Sequence, residues 1–218
     1  SRYTVDEKWI VPHFEKMLYD NIQYVSLLNN YLSIKESDYF KYKLKQTIKF
    51  INSEFLVKNS LLGSAYDADS DGIEGKYYVW KYQELKDVLQ NELDIFKKKY
   101  QISEHGNFEG SNILVENTDT NISTESNIKK IELKLLGIRK KRNKPFFDDK
   151  VQTDLNAFWI YVNLYSSIIL DDKVLLEKST KNIENFIQIY ENGLFHCYND
   201  NKQIDVFLED YVYFSLLL

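Results

Sequence analysis

Apolar residues recur every three or four positions along most of this chain, and few breakers interrupt them. Phe14, Leu18, Ile22 and Val25, with Met17, Leu28 and Leu32, set the pattern, and such spacing places side chains on one face of a helix. With only 7 Gly and 2 Pro in 218 residues, the chain is too poor in breakers to be disordered. The first helix is expected over 12–32, opened by Pro12 at a position where a helix tolerates proline. Ser37 or Asp38 suits the cap of a second, which carries Tyr39, Tyr42, Leu44, Ile48, Ile51 and Phe55 and packs back as a hairpin. Further helices are expected over 82–100 with a break near Asn91, over 126–142, from Thr153 or Asp154 through Ile169, and over 172–190. A last one starts within "FLEDYVYFSLLL". Between them, 61–80 reads as a glycine-marked loop ending in a short "KYYVW" strand, and "EHGNFEGSNIL" as a second such loop. The polar "ENTDTNISTESN" reads as a surface connection and "GLFHCYNDNKQI" as a hairpin turning around 199–201.

The residues are 44% hydrophobic, enough to bury a core and too apolar for a disordered chain. A net charge of −5 gives no general attraction for nucleic acid or anionic membrane. The run "RKKRNK" at 139–144 reads as the positive end of a helix rather than a phosphate-binding patch. The single cysteine, Cys197, excludes an internal disulfide or a C-x-x-C pair, so a cytoplasmic setting is the default. "FWIYVNLYSSIIL" is the most apolar stretch and is too short and too interrupted to span a bilayer. The start at "SRYTVDEKW" has neither an initiator Met nor a secretion signal, so the chain is expected to be a fragment.

"DADSDGIEG" at 67–75 brings four acids into eight residues, Asp67, Asp69, Asp71 and Glu74. An EF-hand loop would take the first three and Gly72, but its closing Glu falls on Tyr78 and no second helix follows. Three readings stay open: a looser calcium site, a solvated turn whose acids bind their own backbone, or a site loop in which mutual repulsion leaves one acid as a proton donor. His13, Lys16 and Asp20 fall on one stripe of the expected first helix, where a carboxylate can fix the imidazole tautomer. The plainer reading is a surface ion pair beside a capping histidine. His105 and His196 show no ligand companions in the sequence, and without H-E-x-x-H or C-x-x-C spacing no metal site and no cofactor is expected.

The blocks "RYTVDEKWIVPHFEKMLYDN", "SAYDADSDGIEGKYYVW", "GNFEGSNIL", "PFFDDKVQTDLNAFW" and "FLEDY" occur in this order over nearly the whole chain. In this it resembles the YyaL-type, spermatogenesis-associated proteins that carry an N-terminal thioredoxin-like domain. The resemblance implies an all-α fold with small β insertions, part of an (α/α)6 toroid like those of six-hairpin glycosidases and N-acylglucosamine 2-epimerases. Residues 1–218 would then be one partial toroid domain truncated at both ends, with a separately encoded thioredoxin-like domain or the missing toroid half as partners. It also implies that His13, Asp67, Asp69 and Asp149 gather as catalytic groups. Glu15, Lys16, Asp20, Glu74, Asn107, Asp148, Lys150, Asn156, Glu209 and Asp210 would line the substrate site, for a sugar. Leu155 stands where the family commonly has Trp before Asn156, which removes an aromatic able to stack on a sugar. An epimerase needs proton-transfer groups on opposite faces of one carbon, for which His13 is the candidate. A glycosidase needs two carboxylates about 5 to 9.5 Å apart, for which Asp67 or Asp69 would face Asp149. The alternative is a non-enzymatic interaction module or an inactive gene fragment.

Overall fold

Leu18, Ile22, Val25, Leu28 and Leu32 are all buried on one face of a single helix, as their spacing requires. In a computed structural model, which describes residues 3–58, 60–117, 125–199, 202, 203 and 205–218, the chain is mostly helical with short antiparallel strand pairs. In order come β1 (Lys16–Met17), α1 (Leu18–Ile34), α2 (Asp38–Glu54), β2 (Ala65–Tyr66), β3 (Asp69–Ser70) and β4 (Ile73–Glu74). There follow α3 (Tyr82–Leu89), a 3-10 turn (Gln90–Glu92), α4 (Leu93–Lys99), β5 (Tyr100–Gln101), β6 (Val115–Glu116) and α5 (Glu125–Arg139). The chain continues with β7 (Phe147–Asp148), β8 (Val151–Gln152), α6 (Thr153–Ile169), α7 (Lys173–Ile189), β9 (Cys197–Asn199), β10 (Lys202–Gln203) and α8 (Leu208–Ser215). No helix among the described residues is long and apolar enough to cross a membrane. Two compact units result, one of Ser1–Glu15 with Asp67–Phe146 and one of Lys16–Tyr66 with Phe147–Leu218.

In the second unit, α6 packs against α1, α7 and α8, and α1 packs against α2. Trp159 and Val162 of α6 join the α1 and α2 residues Leu18, Ile22, Leu44 and Ile51 in one core. On its other flank Ala157 and Ile160 meet Phe186 and Tyr190. Buried amides fix how the helices register. Asn29 donates to the Val162 carbonyl at 3.1 Å and to Ser166 Oγ at 2.9 Å, and Asn163 donates to Ser179 Oγ at 3.1 Å. A buried polar group left unmatched would cost more than such a bond contributes, so wrong registers are penalised. Ser37 and Asp172 cap α2 and α7 by accepting from the N–H groups of Phe40 and Leu175. Small sheets β1-β2-β7 and β8-β9-β10 tie the loops to helix ends. A side chain at Gly63 would meet the Phe147 ring at 2.6 Å, so only glycine fits there.

The first unit has its own core of Trp80, Leu85, Leu89, Phe96, Ile131 and Leu135. Its α3 ends where Gln90 turns to φ +46°, close to the expected break. Arg142, just beyond α5, donates to the carbonyls of Tyr77 and Val79 at 3.0 and 2.8 Å and grips Glu84 at 2.8 and 2.9 Å. Its guanidinium also lies 4.1 Å over the Trp80 ring. Within the basic run, this residue is therefore structural.

Local expectations change at three places. The first helix starts at Leu18 rather than Pro12, because the backbone between them is spent elsewhere: Pro12 bridges to Thr4, the His13 N–H donates to the Tyr3 carbonyl, and Lys16–Met17 pairs with β2. The expected stripe of His13, Lys16 and Asp20 does not form: His13 is in the loop, Lys16 in β1 and Asp20 in the first turn of α1. "KYYVW" is a run of turns rather than a strand, with Trp80 alone bridging to Asn112. The expected turn at 200–201 and most of the polar connection, 118–124, lie outside the described residues.

Candidate functional site

The acid run folds as a hairpin. Asp71 and Gly72 both adopt positive φ, +53° and +71°, between β3 and β4, which is the type I′ geometry that Asp-Gly favours in two-residue turns. Asp67 Oδ1 accepts from the N–H of Ala68 at 2.7 Å, and more distantly from that of Asp69. Asp71 pairs with Lys76 at 2.8 Å and accepts from Asn143 at 2.9 Å, and these donors hold its carboxyl below the usual carboxylate range. The solvated-turn reading thus describes Asp67, whose carboxylate binds its own backbone, whereas Asp71 is held by side chains. Asp69 is exposed and sits directly across the strands from Glu74.

Glu74 is the member that reaches a histidine. Its Oε1 lies 3.4 Å from His13 Nδ1, and Glu15 Oε2 lies 3.3 Å from His13 Nε2. Both ring nitrogens therefore face carboxylates. Tyr3 stacks on the imidazole at 4.7 Å and 7° between planes, and the His13 N–H donates to the Tyr3 carbonyl. Next along the chain, Phe14 is buried against Tyr78 and Phe108, where Gly75 gives it room: a Cβ there would be 2.6 Å from the ring. Phe14 thereby anchors the loop that presents His13. Glu74 also lines a cavity of about 470 Å³ with Ile73, Tyr77, Phe108 and Arg142 among its walls, a size suited to a small molecule.

Other expected site residues have structural work. Asn107 clasps Ile113 through both its N–H and its carbonyl. Asn156 is buried and holds Leu62 in the same two-sided way while also donating to the Gln152 carbonyl. Asp148 pairs with Lys150 at 3.1 Å, and Asp149 and Glu209 are exposed. The structure thus brings His13, Glu15 and Glu74 together in the first unit. The second unit holds Lys16, Asp20, Asp148, Asp149, Lys150, Asn156, Glu209 and Asp210.

Asp210 has company that sequence spacing did not reveal. Fully buried in the first turn of α8, it accepts from the N–H of Phe207 at 2.8 Å and from that of Asp154 at 3.0 Å. His196 Nδ1 lies 3.0 Å from its Oδ2, and His196 Nε2 lies 3.3 Å from the Gln152 amide. The expectation that His196 lacks companions is therefore corrected. Asp154 joins the group, and burial raises its carboxyl above the usual range, with the nearby Asp210 charge acting the same way. Burial likewise pushes the Tyr190 phenol up to about 12 and raises the Cys197 thiol. No signal within the sequence links these residues, because His196 and Asp210 are 14 positions apart and Asp154 is on a different helix.

No family model matches the chain. It is similar to spermatogenesis-associated protein 20 of Homo sapiens, with 25% identity over 82% of this chain and 27% of the human protein. The Rattus norvegicus protein of that name is 26% identical over the same shares, and the Mus musculus protein is 30% identical over 50% of this chain and 16% of its own length. The chain thus spans little more than a quarter of the human and rat proteins. Such partial similarities support the spermatogenesis-associated family that the sequence blocks resemble.

Proposed function

We propose that the first unit carries a proton-transfer site for a carbohydrate-like small molecule, within a thioredoxin-fused protein of the six-hairpin toroid type. The observation that carries this reading is His13 set between Glu15 and Glu74, with Glu74 on the wall of the cavity. An imidazole with a carboxylate at each nitrogen can relay a proton between them, so Glu74 at the cavity wall can take the proton from the carbon beside a carbonyl, pass it to His13 and return it, as reversible abstraction requires. Of the two chemistries implied by the resemblance, this favours the epimerase-like one. The carboxylate pair of a glycosidase has less support, because Asp67 is spent on its own backbone.

The test is deuterium incorporation at the carbon beside the carbonyl, followed by NMR in heavy water, over a panel of hexoses and N-acylhexosamines. The parent chain is expected to exchange at least one of them, and His13→Asn to lose about 100-fold or more of that rate. Absence of exchange across the panel, or a His13→Asn rate equal to the parent rate, contradicts the reading.

A second reading is a non-enzymatic interaction module. It is favoured by the large apolar side chains exposed at the end of the chain, Leu208, Tyr211, Val212 and Leu216.

A further inference from the structure

The second unit holds a histidine cluster that proton transfer at His13 leaves unused. Asp154, His196 and Asp210 each offer one ligating atom, and these atoms all lie within 4.8 Å of one another. They come from the first turn of α6, the approach to β9 and the first turn of α8. The packing of α6 on α8 and the pairing of β8 with β9 hold these segments in place. Asp210 is fully buried, and Asp154 Oδ1 is closed to solvent without a hydrogen-bond partner. Two carboxylates gathered this closely, one fully buried and the other half-buried, repel each other, and an orphaned buried oxygen costs free energy that a cation would recover.

We propose that Asp154, His196 and Asp210 form a binding site for one first-row divalent cation, with zinc the best match. An imidazole nitrogen with two carboxylate oxygens is a donor set that suits zinc and its transition-metal neighbours, whereas calcium and magnesium prefer oxygen alone. Bonds of about 2.0–2.2 Å bring three ligand atoms closer together than the present spread, so the cluster tightens around the ion. His196 Nδ1 lies 3.0 and 3.1 Å from the two Asp210 oxygens. A cation seated between them forms bonds to nitrogen and oxygen in place of the proton shared there, and that proton leaves to solvent. The Gln152 amide, 3.3 Å from His196 Nε2, orients the ring from its other side. Three protein ligands leave a fourth position, the arrangement in which zinc sites carry water.

Equilibrium dialysis of the intact chain against zinc, and separately against calcium, followed by metal analysis, tests this. One zinc per chain is expected, with no comparable retention of calcium. Asp154→Asn and His196→Gln should each weaken zinc binding at least tenfold, while His13→Asn leaves it unchanged. Cobalt(II) absorption of the parent chain reads the donor set without any variant: a low-symmetry nitrogen and oxygen site gives enhanced visible bands, and hydrated cobalt does not. Absence of retained zinc, zinc binding indifferent to Asp154→Asn, loss of binding on His13→Asn, or a hydrated-cobalt spectrum each overturns the proposal.

Discussion

His13 and His196 both sit beside paired acids, yet their settings are opposed. Around His13 the side-chain exposures are 19% for the imidazole, 27% for Glu15 and 49% for Glu74. His196 is similarly covered at 16%, but its carboxylate partner Asp210 is at 0%. Ion pairs open to water contribute about 0–1 kcal/mol, because solvent screens them and side-chain entropy opposes them. Removing one partner of a buried pair costs about 3–5 kcal/mol, because the other is left uncompensated. The first cluster is therefore free to serve chemistry, whereas the second also fastens the fold. Asp210 shows this directly, since the same carboxylate caps α8, takes the Asp154 N–H and pairs with His196.

The sharpest way to break this contrast is Asp210→Ala. It should cost about 3–5 kcal/mol in urea unfolding, and a loss under 1 kcal/mol would place the cluster among the screened surface pairs instead. In the first unit the weak points should be backbone turns rather than charges. Gly106 has φ +76°, and a Cβ there would collide with the Ser111 backbone, so Gly106→Ala should cost about 1–3 kcal/mol. An unchanged unfolding midpoint would remove the loop's claim to a fixed shape. The smallest effect concerns Tyr190, whose phenol is pushed by burial up to about 12 from 10.0. Because the folded value is the higher one, its contribution to stability is complete below pH 10 and is lost as pH rises toward 12. Ultraviolet titration should show one tyrosine, absent in Tyr190→Phe, that ionises last; ionisation of Tyr190 near pH 10 would contradict its buried setting.

Helices were legible because their apolar spacing is local. The stripe of α1, the Ser37 cap and the break near Gln90 all follow from residues within a few positions of one another. The start of α1 differs because Pro12 satisfies a helix-start rule, while the competing claims, the bridge of Pro12 to Thr4 and the pairing of Lys16–Met17 with β2, depend on partners distant in sequence and leave no periodic trace. The Asp71-Gly72 step is local turn chemistry, but four acids in eight residues suit a turn, a cation site and a proton donor alike, so sequence alone leaves the three readings open. The resemblance points to Glu15 and Glu74 as site residues, yet the link of His13 to Glu74 depends on the β3–β4 hairpin delivering that side chain. The His196 and Asp210 pairing is tertiary throughout, so no spacing rule could find it.

The contrast between the two histidines is tested most directly by urea unfolding of His13→Asn and His196→Asn measured side by side. His13→Asn should stay within about 1 kcal/mol of the parent chain, and His196→Asn should lose about 2 kcal/mol or more through its buried partner. Equal losses, or a larger loss for His13→Asn, would contradict the division into one cluster left open for chemistry and one built into the fold.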